Sequence, residues 1–324
     1  MSIKADISWL GLRHGRASSI GIEVNDHFES KIYTSGSTIS GHAVVSPLKD
    51  VHFDTFEVCF TGKASTRIDL LRPYPIPASR TFLRPHMPIP QGTLPKSSTF
   101  EAGRTYRIPF TFVVPSQLAA SSCSHECGPT VQEQHLRLLP TMGLWESDDQ
   151  VPETVQVEYS INALVFQDKA DPARIELPQG FRRLKILPLV PEELPLHILP
   201  EDKQYRLVQT KMIRQNLFSS RSGKLRVEVS QPRSVEVSLG TLSSTGSSIT
   251  VDLKFTPTST DVVPPDIHVV SAKIQSATHY SVTHMSRFPN LGNAPENQLC
   301  LVVTYSKSYS VTTEHPGGVD WDQY

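Results

Sequence analysis

Four side chains able to ligate a metal lie close together in the chain: Cys123, His125, Cys127 and, a little further on, His135. Thiolate and imidazole each offer a borderline-soft lone pair, so a segment that folds back on itself could set all four around one ion. The Cys-x-His-x-Cys spacing matches no standard zinc knuckle, and the plainer reading is a loop carrying thiols, so no metal and no cofactor are expected. A zincin helix is ruled out too, because Gly128 and Pro129 follow His125-Glu126 where the helix and its second histidine should stand.

A second group has chemistry of a different kind. Lys203, Arg206, Lys211, Arg214, Arg221, Lys224 and Arg226 face only Glu201 and Asp202 over the stretch from Glu201 to Arg226. Cationic groups along a strand edge suit a phosphorylated or acidic tail, since guanidinium clamps phosphate with charge-assisted hydrogen bonds. The plainer reading is a solvated strand face whose charges discourage edge-to-edge aggregation.

Nucleophile and phosphate motifs are missing. No G-x-S-x-G string occurs, and Gly36-Ser37-Thr38-Ile39-Ser40-Gly41 only looks like one. Gly62-Lys63-Ala64-Ser65 lacks the first glycine of a phosphate-cradling loop. Histidines and carboxylates are scattered with no dyad in view, and the expectation is a chain that is not an enzyme.

The elements that must position these groups are strands. Ile20, Ile22 and Val24 alternate with Gly21 and Glu23, and Val155, Val157, Tyr159 and Ile161 alternate with Gln156, Glu158 and Ser160. The second half repeats the habit at Leu225, Val227 and Val229, and again at Ile249, Val251, Leu253 and Phe255. A period of two with one apolar face predicts antiparallel sheets packed face to face, an all-β fold. The 26 prolines agree, because proline is kept out of helix interiors and central strands. Their densest cluster, Arg72 to Lys96, reads as one long excursion between two strands. A short helix is expected around Val131–Leu139, confined by Gly128, Pro129 and Pro140.

At 324 residues the chain suits about two domains. A proline-rich break from Asp171 to Asp202 places the boundary near Pro191, giving sandwiches over 1–191 and 192–324. Phe181 to Leu187 is then the last strand of the first. With 31 basic and 32 acidic residues the net charge is −1, so no global field draws the chain to nucleic acid. Neither a secretory leader nor a transmembrane run is expected. The four cysteines form no disulfide framework, and none of the asparagines opens an Asn-x-Ser/Thr sequon. A reducing, cytoplasmic setting follows as the expectation.

Three stretches in order resemble the N-terminal domain of fungal α-arrestins. They are Ile32-Tyr33-Thr34-Ser35-Gly36 through Ile39-Ser40-Gly41-His42-Ala43-Val44-Val45, then Phe53 through Phe60-Thr61-Gly62-Lys63-Ala64, then Tyr106-Arg107-Ile108-Pro109-Phe110-Thr111-Phe112-Val113-Val114-Pro115-Ser116-Gln117-Leu118. The last is similar to that family's F-P-F-x-F-x-x-P-x-x-L segment, and Val157 to Ala163 is similar to the strand after it. The resemblance covers about residues 20–190. The second half, from Ser222-Gly223-Lys224 onward, is similar in pattern only.

The resemblance implies two tandem immunoglobulin-like, arrestin-type β-sandwich domains. It also implies an adaptor that binds tails of membrane transporters or receptors from the cytosolic side, with recruitment to the plasma membrane or endosomes. Many members bring in a HECT-type ubiquitin ligase through Pro-Pro-x-Tyr. This chain departs from them, for Pro264-Pro265-Asp266-Ile267 lacks the tyrosine and Arg72-Pro73-Tyr74 the paired prolines. Two other readings stand beside the adaptor: a structural subunit of a trafficking coat, of retromer type, and a β-sandwich ligand-binding module.

Overall fold

The computed structural model describes residues 19–68, 75–143, 152–167, 180–189, 206–214, 221–232, 246–285, 302–314 and 321. The chain is all-β and divides into two compact units, Met1–Leu189 with Val282–Ser286, and Val190–Ser281 with Arg287–Tyr324. In the first unit the strands are β1 (Ser19–Val24), β2 (Ile32–Tyr33), β3 (Thr38–Ser46), β4 (Val51–His52) and β5 (Thr55–Ile68). They are followed by β6 (Ile76–Leu83), β7 (Thr99–Phe100), β8 (Tyr106–Val113), β9 (Val155–Phe166) and β10 (Gly180–Ile186).

Alternation decides which way each strand faces. On β8 the side chains of Tyr106, Ile108, Phe110 and Phe112 are buried while Arg107, Pro109, Thr111 and Val113 are exposed. A slip of one residue would turn all four apolar groups outward, so burial fixes the register. β3 sits between β1 and β8 in a three-stranded sheet, and a five-stranded sheet runs in the order β2, β10, β9, β5, β6. β2 joins β10 in parallel, with Ile32 opposite Lys185; the other ladders are antiparallel.

The two sheets close on one core. Ile39, Val45, Ile108 and Phe110 from one sheet and Val58, Phe60, Tyr159, Ile161 and Leu184 from the other belong to a single buried cluster. Phe60 bridges the layers, with its ring centroid 6.0 Å from Phe112 and 5.9 Å from Tyr159. Burying a side chain of this size stabilises by about 1.5–3 kcal/mol, so the dozen or so largest are what hold the sandwich against chain entropy.

The proline-rich stretch differs from the sequence expectation of one long excursion. Its first part is β6, which pairs with β5 from Ile76 opposite Ile68 to Leu83 opposite Gly62. β6 is the outer strand of its sheet, where a residue without an N–H, such as Pro77, removes no ladder bond from a further neighbour. Beyond β6 the backbone stays tied to β5, Phe60 N donating to Pro85 O at 3.1 Å and Met87 N to Val58 O at 2.8 Å.

The second unit holds β11 (Val208–Arg214), β12 (Arg221–Val229), β13 (Val251–Pro257), β14 (Val270–Ser281) and β15 (Val302–Glu314). β12 lies between β11 and β13, and β14 pairs with β15 as a two-stranded ladder. Leu225 stands opposite Phe255 and Val227 opposite Leu253, giving one half-buried apolar face. Among the described residues no helix is long and apolar enough to cross a membrane.

Candidate metal centre

Between β8 and β9 the chain leaves the sheet and comes back to itself. Leu118 N donates to Leu136 O at 2.7 Å, and Gln117 bridges Arg137, so residues 118–136 are closed at the neck. Inside the neck lie a single 3-10 turn, Ala120–Ser122, and helix α1 (Pro129–Leu136). The helix starts at Pro129 rather than at Val131 because proline is accepted in a first turn, where its missing N–H has no helical partner anyway. It ends at Leu136, short of Leu139, as Arg137 returns to extended backbone.

Val131 and His135 are four residues apart on α1 and share a face. Val131 is buried, so the contact that seats the helix also turns His135 toward the interior of the loop. From the other side β6 holds the turn: Arg80 Nη2 donates to Ser122 O, and Ser122 Oγ lies 3.4 Å from Phe82 O. At the far end the Tyr159 hydroxyl donates to Leu139 O at 2.6 Å.

These supports bring the four metal-capable side chains together, their ligand atoms all within 4.8 Å of one another. Cys123 Sγ is the hub. It lies 3.6 Å from His125 Nδ1, 3.5 Å from His135 Nδ1 and 3.8 Å from Cys127 Sγ. Cys123 is buried and the other three are half-buried. The imidazoles of His125 and His135 are tilted with centroids 4.9 Å apart, and His284 stacks on His125 at 4.6 Å. His125 Nε2 is buried with no hydrogen-bond partner.

Burial, then the neighbouring His125, Arg80 and His284, hold the His135 pKa below its usual 6.5. Its ring is therefore neutral near pH 7 and has a lone pair to give. Burial and the Cys123 thiol push Cys127 above the ordinary thiol value. Spacing alone did not forecast this convergence. The neck at Leu118 and Leu136 makes it, and that contact is not legible from a Cys-x-His-x-Cys string.

The basic residues are distributed less simply. Lys203 lies outside the described residues. Arg206 is exposed just before β11, Lys211 and Arg214 are exposed on β11, and Arg221, Lys224 and Arg226 are exposed on β12. Thr210 stands opposite Arg226 and Met212 opposite Lys224, whereas Lys211 stands opposite the half-buried Leu225. Lys224 and Arg226 thus share one face and Lys211 takes the other. Register adds a residue outside the 201–226 run: Lys254 of β13 pairs with Arg226. The signal was its place in the alternation of Val251, Leu253 and Phe255. The same face carries Glu228, 2.9 Å from Arg226, and Asp252, so part of its charge is neutralised.

The first unit also has an open recess of about 470 Å³ lined by His27, Glu158, Phe181, Arg182 and Arg183 among others. His27 Nδ1 is 3.1 Å from the Tyr33 hydroxyl, and Arg183 Nε donates to Glu158 Oε1 at 3.2 Å.

Neither a protein-family model nor a curated protein matches the chain. Among solved structures it is similar to the sporulation control protein Spo0M from Bacillus subtilis, at 12% identity and a TM-score of 0.29. That alignment covers 66% of this chain and 66% of the other. A likeness at this level assigns no function.

Proposed function

We propose that the chain is a non-catalytic, arrestin-like adaptor that binds acidic or phosphorylated tails of membrane transporters or receptors at the cytosolic side of a membrane. The observation that carries this reading is where the arrestin-like stretches fall. Ile32 to Val45 spans β2 and β3, Phe53 to Ala64 spans most of β5, Tyr106 to Leu118 spans β8, and Val157 to Ala163 lies in β9. β3 then neighbours β8 and β5 neighbours β9, so stretches far apart in sequence pair two by two around one core. The pairing supports the reading by gathering all four stretches into one sandwich.

The binding face is that of Lys224, Arg226 and Lys254, extended by Arg206, Arg214 and Arg221; Lys211 lies on the opposite face, and Lys203 is outside the described residues. A tail would lie along β11 to β13 with its phosphates or carboxylates against these cations. A HECT-type ubiquitin ligase, where it takes part, is recruited by something other than a Pro-Pro-x-Tyr within these 324 residues.

The test is fluorescence anisotropy with the full chain and a labelled acidic peptide in phosphorylated and unphosphorylated forms. The phosphopeptide should bind more tightly, weaken as salt rises, and lose about tenfold in affinity in the Lys224→Glu/Arg226→Glu double variant, the loss of about one charge-assisted contact. Equal binding of a neutral peptide, or indifference to charge reversal, overturns the assignment of this face. Proximity labelling that recovers a fixed coat complex and no transporter or receptor overturns the adaptor reading itself.

A further inference from the structure

We propose that Cys123, His125, Cys127 and His135 form a closed, tetrahedral site for one zinc ion that locks the loop between β8 and β9. The distances carry it. Zinc bonds of about 2.3 Å to sulfur and about 2.05 Å to nitrogen, set at tetrahedral angles, place ligand atoms about 3.8 Å apart for two sulfurs and about 3.6 Å for sulfur and nitrogen. Cys123 Sγ sits 3.8 Å from Cys127 Sγ and 3.6 and 3.5 Å from the two Nδ1 atoms. Three edges of the tetrahedron are already at their metal-bound lengths. With one donor atom from each residue, every separation lies within 4.8 Å, so closing the widest edge takes a side-chain shift of about 1–1.5 Å.

Without an ion the cluster is poorly explained. A thiol has one proton, and Cys123 Sγ has two imidazole nitrogens and a second sulfur at contact distance. One S–H cannot satisfy them all, and a neutral thiol is a weak acceptor for what remains. A disulfide between Cys123 and Cys127 is the other way to use the sulfurs, but it would leave both histidines crowded on the bridge with no role. A cation that takes one lone pair from each group resolves all four at once.

The donor set selects the metal. Two thiolates and two imidazoles in tetrahedral array suit zinc, whereas calcium and magnesium want oxygen. Four protein ligands leave no open position for water, so the site is structural. What it would hold is clear from the loop: between the buried Leu118 and Leu138, only Cys123 and Val131 are buried among the described residues. Two small anchors are few for a segment of this length, and a metal clasp between the 3-10 turn and α1 supplies the missing constraint.

The experiment measures zinc by mass spectrometry on the full chain purified under reducing conditions and dialysed against a weak chelator. One zinc per chain is expected, and cobalt substitution should give the visible bands of a tetrahedral site with thiolate charge transfer. Cys123→Ser and His135→Ala should each reduce the content to near zero with the β-sheet circular-dichroism spectrum retained, and Cys59→Ser should leave it unchanged. Should a ligand variant fail to fold, the wild-type chain decides: zinc must protect Cys123 and Cys127 from alkylation, and a strong chelator must expose them and open residues 119–128 to protease. Sub-stoichiometric zinc, ligand variants that keep it, thiols indifferent to chelation, or an intact mass short of two hydrogens with Cys123 joined to Cys127 each overturns the proposal.

Discussion

A single histidine shows how local surroundings set chemistry in this chain. His27 lies beside β2, hydrogen bonded to Tyr33, and its pKa is held below 6.5 first by burial and then by the nearby Arg182 and Lys31. The fold prefers the neutral ring, so the unfolded chain takes up the proton more readily in the range between the lowered value and 6.5. Its contribution to stability is complete above 6.5 and is lost as the pH falls from there through the folded value. The expected NMR titration of His27 has a midpoint below 6.5, and Arg182→Gln raises it part of the way. Full recovery in that variant would show that burial, the leading cause here, has been misjudged; no change at all would remove Arg182 from the account.

Among the elements, β3 is paired on both sides and carries a position that accepts only glycine. At Gly41 the chain faces Val24 on one neighbour and Phe110 on the other. A Cβ there would run into the carbonyl oxygen of Glu23 and come within 2.9 Å of Phe110 Cζ. The Glu23 oxygen is backbone in a ladder and cannot swing aside, so Gly41→Ala should destabilise by about 1–3 kcal/mol, read from urea midpoints. Gly21→Ala is the matched control, with nothing closer than 4.0 Å to the new methyl, and should change little. The alternating strands of both halves and the strand from Phe181 were legible in the sequence. β6 was not, because the prolines in and around it mask it: Pro77 is tolerated only at an outer edge, and whether a strand is outermost is a property of the sheet. The same limit applies to the metal-capable cluster, whose residues could be named from the sequence while the Leu118–Leu136 neck that gathers them could not. For the basic run, sequence gave the charges, but only register separates Lys211 from Lys224 and Arg226 and adds Lys254.

At the scale of the molecule, buried mass is uneven among the described residues, and this bears on how a binding face could work. Among the described residues every buried hydrophobic side chain, from Ile20 to Ile186, belongs to the first unit. In the second, Val251, Val270 and Ile274 are exposed, the last by 63%, and among the described residues β14 pairs only with β15. The described side chains of β14 cover little apolar surface, and a two-stranded ladder is marginal by itself, since backbone hydrogen bonds contribute little net stability where water competes for them. Local opening should therefore be easier in the second unit. Native-state hydrogen exchange is expected to show protection on β3, β5, β8 and β9 at least about 100-fold above that on β14 and β15, a gap of about 2.7 kcal/mol. Uniform protection across the chain would show that the second unit is held by contacts beyond those described. The contrast also sharpens the adaptor reading. A tail that settles along β11 to β13 adds contacts to those strands, so phosphopeptide should raise protection on β12 and β13 while leaving the first unit as it was. If protection rises instead on β9 and β10, around the recess that holds Arg182 and Arg183, the partner is read by the first unit and the cations of β12 serve only to keep that sheet in solution.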